Sequence, residues 1–267
     1  MVAFVLSVLA GAFVAFGAVF ATTVSAGAII TSAPGGVIES TAFLPYGVTR
    51  LIIGLAFCAG IIAVIIAGAE LFTGNNLIVM AWASGKVATR ALLFNWTLVF
   101  IGNFAGAFLI AGLMYLSTQY TFGGGAVGLA ALATANAKSS LSFVPAFTLG
   151  ILCNALVCLA VWMCFSARTN IDRVVTALPP VAAFAAAGFE HCIANIYFIP
   201  MGLFIKAGAP EAFWKSINKT PADFPDLTWI NFASNLIPVT LGNIVGGSFM
   251  VAAAYWFVYL RKRPTGE

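Results

Sequence analysis

The chain has 267 residues, of which 62% are hydrophobic and only 7% are charged, and its mean hydropathy is +1.04. This composition is that of a polytopic membrane protein, in which short loops join apolar spans of about 20 residues each. The formal net charge of +4 is therefore no sign of a nucleic-acid surface, and no nucleic-acid partner is predicted. What the charges report is how the spans are oriented in the bilayer.

Six apolar runs follow one another along the chain, at residues 2–23, 48–68, 92–115, 144–165, 174–205 and 230–260. The first begins at Val2 with neither a basic leader nor a small-residue cleavage site, so it is interpreted as a span and not as a signal peptide. The sequence thus predicts an all-α membrane protein with six transmembrane helices.

Polar residues interrupt the second and the fifth runs. Residues 70–76 separate the second run from a short apolar piece at 77–82, and Glu190 and His191 stand inside the fifth. A break at bilayer depth is tolerated only against a cavity or inside protein, and an ionisable group there is costly unless it faces one of these. His191, the only histidine, is therefore a candidate functional residue, with a hydrogen-bonded structural role as the alternative.

An internal repeat emerges when the two broken helices are aligned. Five residues recur 140 positions later, namely Asn95, Gly102, Asn103, Gly106 and Tyr115 as Asn235, Gly242, Asn243, Gly246 and Tyr255. Three spans per half would insert the second copy upside down, an architecture typical of transporters with a site at the helix breaks. The predicted organisation is one transmembrane domain over residues 1–267, with inverted repeats at 1–117 and 143–260 and a connecting segment at 118–142.

Lysine and arginine residues are unevenly divided between the two sides of the predicted bundle. The side that carries both termini holds seven, Lys86, Arg90, Arg168, Arg173, Arg261, Lys262 and Arg263, whereas the opposite side holds five, Arg50, Lys138, Lys206, Lys215 and Lys219. Because cytoplasmic loops carry the excess of these residues, both termini are predicted to be cytoplasmic.

The residues at the breaks favour an anion. The first N–H groups of a half-helix carry a partial positive charge, the hydroxyl of Thr73 can donate or accept a hydrogen bond, and His191 adds a titratable donor. Together they suit a small carboxylate or a similar oxyanion. Glu70 and Glu190 would repel it, so both are expected to point away and to brace the loops. A helix-capping role is the alternative for Thr73.

The five cysteines all lie in apolar runs, and none forms a C-x-x-C pair. They are predicted to be buried apolar side chains. Neither a metal site, nor a cofactor, nor a catalytic residue is predicted.

Two segments carry a resemblance to a known family. Residues 70–75 (Glu-Leu-Phe-Thr-Gly-Asn) and 188–202 (Gly-Phe-Glu-His-Cys-Ile-Ala-Asn-Ile-Tyr-Phe-Ile-Pro-Met-Gly) resemble the signatures of the formate/nitrite transporter family, and residues 235–243 resemble its formate-channel branch. The resemblance implies a homopentamer of aquaporin-like subunits in the bacterial cytoplasmic membrane. Each subunit would have its own pore for small monovalent anions such as formate, nitrite, acetate or hydrosulfide.

The resemblance also implies roles for individual residues. The family's mobile-loop threonine falls on Thr73 and its pore histidine on His191, and the further pore residues correspond to Lys138 and Asn154. Its apolar constrictions fall on Phe57, Ile61 and Phe184 towards the periplasm, and on Leu71, Phe72 and Val157 towards the cytoplasm. Its loop-fixing residues correspond to Glu190 and Asn195, and Glu70 is the corresponding carboxylate of the first half.

Two mechanisms and several rival functions stay open at this point. Lys138, Thr73 and His191 could attract the anion itself, or a protonated His191 could hand a proton to it, so that the neutral acid crosses the apolar ring. Nitrite or hydrosulfide transport is the nearest rival. An aquaporin-type neutral-solute pore would need an Asn-Pro-Ala pair that the sequence lacks. An intramembrane hydrolase would need facing carboxylates, for which Glu70 and Glu190 are the candidates.

Overall fold

A computed structural model describes residues 1–26, 29–31, 40–42 and 44–261. Its helices are α1 (Val2–Ala26), α2 (Tyr46–Ile66), α3 (Val79–Ala83), α4 (Thr89–Leu116), α5 (Ala126–Ser139), α6 (Phe143–Cys164), α7 (Asn170–Ala187), α8 (Cys192–Gly208), α9 (Glu211–Ser216) and α10 (Trp229–Val245). After α10 the helix continues in π-type turns over Gly246–Ala253 and Trp256–Leu260, and a short 3₁₀ turn, Gly74–Ile78, precedes α3.

The spans match the sequence prediction. Five helices are long and apolar enough to cross a membrane, and α7 with α8, bent by 46° at their junction, makes the sixth span. The prediction of six transmembrane helices, with the second and fifth broken, is therefore confirmed. One small departure from an all-α chain is an antiparallel pairing of β1 (Ile29–Thr31) with β2 (Ser40–Ala42).

Glycines end the first half of each broken helix. Gly68 follows the end of α2 with φ +66°, and Gly188 follows α7 with φ +78°. A left-handed residue at this position terminates a helix and is adopted most easily by glycine. The chain then turns into the loop before α3 in one half and into α8 in the other.

The helices of each half pack closely through small residues. In the first half α1 packs against α2 and α4, and in the second α6 packs against α7 and α10. A Cβ atom on Gly106 would collide with the backbone of Val8, and one on Gly246 would collide with the backbone of Ile151. Such close backbone approach is the usual way in which helices associate in lipid. The inverted relation between the halves stays a prediction.

The connecting segment contains a helix that the apolar runs did not indicate. α5 is rich in alanine, the best helix former, and its buried residues Ala131, Leu132 and Ala135 belong to the central core. Because α5 packs against α8, it brings Lys138 of its last turn next to the second break.

Candidate functional site

A buried asparagine holds each break in place. In the first half, Asn103 accepts a hydrogen bond from the N–H of Phe72 at 2.8 Å. Its amide nitrogen donates to the carbonyls of Ser7 at 2.6 Å and Glu70 at 2.9 Å. Two backbone groups of the interrupted segment thereby gain the partners that they need in the absence of water, and the bond to Ser7 ties the break to α1.

Asn243, 140 positions after Asn103, holds the second break in the same way. Its Oδ1 accepts from the N–H of Cys192 at 2.9 Å, and its Nδ2 donates to the carbonyls of Gly150 at 2.8 Å and Glu190 at 2.9 Å. The repeated residues Asn103 and Asn243 therefore make equivalent hydrogen bonds at the two breaks.

The carboxylate of Glu70 is tied to its own loop. Asn75 Nδ2 donates to Glu70 Oε2 at 2.6 Å and lies 3.0 Å from Asn95 Oδ1. Trp96 Nε1 donates to the carbonyl of Asn75 at 3.1 Å. Glu70 is thus placed as a brace behind the loop.

Glu190 has an equivalent cluster and one additional partner. Asn195 Nδ2 donates to Glu190 Oε2 at 2.6 Å and to Asn235 Oδ1 at 2.8 Å. Lys138 Nζ donates to Glu190 Oε1 at 2.6 Å and lies 5.4 Å from the ring centre of Phe198. A buried carboxylate is costly without such a cation, so the pair neutralises the second break.

His191 links the two breaks directly. Its Nδ1 accepts a hydrogen bond from the N–H of Ala194 at 3.1 Å, which caps α8, and its Nε2 lies 3.1 Å from Thr73 Oγ1. Because Nδ1 is an acceptor, this geometry requires a neutral imidazole with its proton on Nε2. Thr73 then accepts from His191, and the hydrogen of its hydroxyl is free for another acceptor.

Two expectations about the helix starts are corrected by these contacts. The first N–H groups of the second half-helices were expected to face an anion, but in α8 those of Cys192 and Ala194 already donate to Asn243 and His191. Thr73 was considered as a cap of the following turn, but its side chain makes no capping bond and contacts His191 instead.

Two cavities approach this contact from different sides. The Arg50 cavity, of about 460 Å³, contains Arg50, Lys138, Glu190 and His191 in its wall together with the edge-on pair Phe57 and Phe184, whose ring centres are 5.6 Å apart. Glu190 was expected to point away from the path and to brace the loop. The residue forms part of this cavity wall, and its two carboxylate oxygens bond to Lys138 and Asn195.

The second cavity, the Arg173 cavity, has a volume of about 710 Å³. Ile61, Leu71 and Val157 form part of its wall, with Arg173 further along it. Ile61 was expected to form a constriction with Phe57 and Phe184, whereas the structure places it on this other side.

Thr73 and His191 lie between the two cavities. Thr73 is 0% exposed and His191 is 2% exposed. His191 is part of the Arg50 cavity, and Leu71 and Gly74, which flank the Thr73 position, are part of the Arg173 cavity. The ring of Phe184 stacks on His191 with centres 6.0 Å apart, so an aromatic wall adjoins the contact.

Three of the predicted pore residues, Thr73, Phe72 and Asn154, are absent from the walls of both cavities. Thr73 contacts His191, which is part of the Arg50 cavity, whereas the other two make different contacts. Phe72 packs edge-on against Phe100 with ring centres 5.1 Å apart. Asn154 Nδ2 donates to the carbonyls of Thr73 at 3.2 Å and Asn243 at 2.7 Å, which places it as a support of the Thr73 loop.

Arg50 is a site residue that sequence reasoning missed. Its Nε donates to the carbonyl of Ala186 at 2.6 Å and its Nη2 to that of Ala185 at 2.9 Å, at the end of α7. The sequence contained a feature that could have identified it, because Arg50 is the only charged residue between Glu39 and Glu70. It was counted only as a loop charge.

Comparison with known proteins adds the family. The family profile described as Formate/nitrite transporter matches residues 1–257. The formate channel FocA of Escherichia coli (strain K12) is 42% identical over 260 residues, covering 97% of this chain and 87% of the relative. The formate channel FocA of Haemophilus influenzae is 40% identical over 249 residues, covering 93% and 83%. A solved structure titled "Pentameric formate channel with formate bound" superposes with a TM-score of 0.87 at 45% identity, covering 97% of both chains.

Proposed function

Since this chain belongs to the formate/nitrite transporter family, we propose that it conducts formate across a bacterial cytoplasmic membrane as a homopentamer with one pathway per subunit. The observation that carries the proposal is the buried contact between Thr73 and His191, which separates two cavities and joins the two helix breaks. Both residues are hydrogen-bond donors suited to a carboxylate.

The pathway has to compensate for the lost hydration of the anion. Transferring a carboxylate from water into a medium of low dielectric costs on the order of 20 kcal/mol by the idealised Born estimate. Formate in the Arg50 cavity meets the Phe57 and Phe184 pair beside His191. The Thr73 hydroxyl supplies a free donor there, and the His191 Nε2–H supplies a second one once its bond to Thr73 opens. Lys138 keeps the negative charge of Glu190 from repelling the anion.

Proton exchange at His191 is a second step that the same geometry constrains. A carboxylic acid with a pKa near 4 is neutral in only about one molecule in a thousand at pH 7, so a proton supplied inside the pathway would assist passage. The proton on Nε2 can be given up without forming an imidazolate only if Nδ1 is protonated first. That protonation breaks the cap on α8, so proton exchange is coupled to a local opening at Ala194.

The remaining assignments belong to the same proposal. Phe57 and Phe184 form the constriction on the Arg50 side, and Ile61, Leu71 and Val157 form the one on the Arg173 side, while Glu70, Glu190 and Asn195 support the loops. Both termini face the cytoplasm, in keeping with the charge bias of the loops. Nitrite, acetate and hydrosulfide are further permeants, and the chain acts without catalysis.

The test is a flux assay in proteoliposomes with formate, nitrite and hydrosulfide, each at two pH values. The expected result is saturable formate uptake well above that of protein-free liposomes prepared in parallel. Uptake of nitrite or hydrosulfide with no formate flux at either pH would contradict the proposal and assign the chain to another anion of the family.

A further inference from the structure

Arg50 is held rigidly in the wall of its cavity. Two of its N–H groups donate to the carbonyls of Ala185 and Ala186 at the end of α7, at 2.9 and 2.6 Å. These bonds fix the guanidinium plane and leave its other donors available, because arginine carries five N–H groups. The side chain is half-buried, so its charge is only partly hydrated.

The charges around this cavity leave Arg50 unbalanced. Lys138 and Glu190, also in the wall, form an ion pair at 2.6 Å and cancel each other. Within the described parts of the chain, Arg50 has no carboxylate within ion-pair distance. The wall therefore has a net positive charge that resides on one guanidinium.

The Arg173 cavity also has an arginine in its wall. Arg173, near the start of α7, lies in its wall, and its Nη1 donates to Asn170 Oδ1 at 3.1 Å. Of the described residues that line this cavity, Arg173 is the charged one. Among the described residues, each of the two cavities thus has one arginine in its wall with no carboxylate within ion-pair distance.

We propose that Arg50 is an anion-binding residue of its vestibule, where a small carboxylate pairs with the guanidinium before it reaches Phe57, Phe184 and His191, and that Arg173 does the same in the other vestibule. The inference rests on the proposed function. A planar guanidinium binds a carboxylate through two parallel hydrogen bonds, and a cation in a cleft raises the local concentration of anions. Each arginine sets the apparent affinity for formate on its own side.

A purely structural role for Arg50 makes different predictions. Cations stabilise helix C-termini by bonding to the last carbonyls, so the contacts with Ala185 and Ala186 could serve only to end α7. In that case Arg50→Gln would lower thermal stability and would change formate flux equally from both sides. Its effect would also be independent of ionic strength.

The experiment measures formate uptake against formate concentration in right-side-out and inside-out membrane vesicles. At low ionic strength, Arg50→Gln is expected to raise the half-saturating concentration about threefold to tenfold on the Arg50 side only. Arg50→Lys retains the charge and restores most of the affinity. Arg173→Gln, the matched variant, shifts the value on the opposite side. At about 1 M salt, where the Debye length is about 3 Å, both differences disappear.

Three results separate the possible outcomes. Unchanged half-saturation in Arg50→Gln, or equal shifts from both sides at every ionic strength, would overturn the inference while saturable flux by the wild-type chain upholds the proposed function. Absence of formate flux in the wild-type chain would instead refute that function. If Arg50→Gln does not fold, the salt dependence of uptake by the wild-type chain still tests the inference. An apparent affinity for formate that does not weaken with added salt contradicts a charged vestibule site.

Discussion

At the scale of single residues, the sequence identified the chemistry of the site better than its geometry. His191 and Thr73 could be selected because an ionisable residue and a hydroxyl stand in interrupted apolar runs. Their direct contact could not, since it joins two segments more than a hundred positions apart. The position of Phe72 was not predictable either, because a side chain's direction in an irregular loop does not follow a helical or strand period. Asn154 lies in α6, but its bonds to the carbonyls of Thr73 and Asn243 depend on tertiary packing that the sequence does not show.

Replacement of His191 by asparagine tests its proton chemistry. Asparagine is a good helix cap, so α8 keeps its start, but the ionisable group is lost. We expect formate flux by His191→Asn to be insensitive to pH between about 5 and 8, the range in which an unperturbed histidine titrates, whereas wild-type flux changes with pH. The measurement is formate flux in proteoliposomes across that range. An unaltered pH profile in the variant would eliminate proton exchange at His191 and leave anion conduction intact.

Removal of the Phe184 ring tests the constriction beside His191. Phe184 is 2% exposed and touches both Phe57 and His191, so Phe184→Ala opens space in the wall of the Arg50 cavity beside His191. We expect increased leakage of a larger anion such as lactate relative to formate. Phe72→Ala is the matched control, because it removes an equally buried ring outside both cavities. Equal leakage by the two variants would mean that loss of packing, and not the constriction, is responsible.

At the scale of elements, the broken helices and a bracing role for Glu70, Glu190 and Asn195 were expected, whereas the hydrogen bonds of Asn103 and Asn243 to the breaks were not. Gly68 and Gly188 end their helices for a local reason, which sequence patterns express. α5 was missed because this alanine-rich segment lacks the long, strongly apolar run by which spans are recognised. The π-type turns of Gly246–Ala253 were also missed. They depend on tertiary contacts, among them the 3.3 Å bond between Ser248 Oγ and Asn76 Oδ1.

The asparagine at the second break should be critical for stability. Asn243→Ala leaves the N–H of Cys192 and the carbonyl of Glu190 without this partner in a buried site, and each unsatisfied group costs about 1–3 kcal/mol. We expect a clearly lower unfolding temperature in detergent, accompanied by reduced formate flux. Asn136→Ala serves as the control, since Asn136 Oδ1 is buried and has no hydrogen-bond partner among the described residues. A melting temperature of Asn243→Ala equal to that of the control would show that the loop does not depend on this bracing.

At the scale of the whole molecule, the chain provides a closed contact with a cavity on either side. The six spans were predictable from length and hydropathy, because each must bury about 20 apolar residues in lipid. The two cavities were not, since each one is assembled from both halves of the chain. The proposed pentamer could be inferred only from resemblance, because exposed apolar residues suit contact with lipid and contact with another subunit alike.

The most direct test of the proposed pathway is chemical block at Thr73. Thr73 is fully buried between the two cavities, so a reagent in water can reach this position only through them. Thr73→Cys is expected to conduct formate, and a small methanethiosulfonate reagent should then reduce the flux at least about tenfold, with excess formate slowing the modification. The untreated variant and the treated wild-type chain, which has five buried cysteines, are the controls. Undiminished formate flux after complete modification of residue 73 would contradict a pathway through the Thr73 and His191 contact.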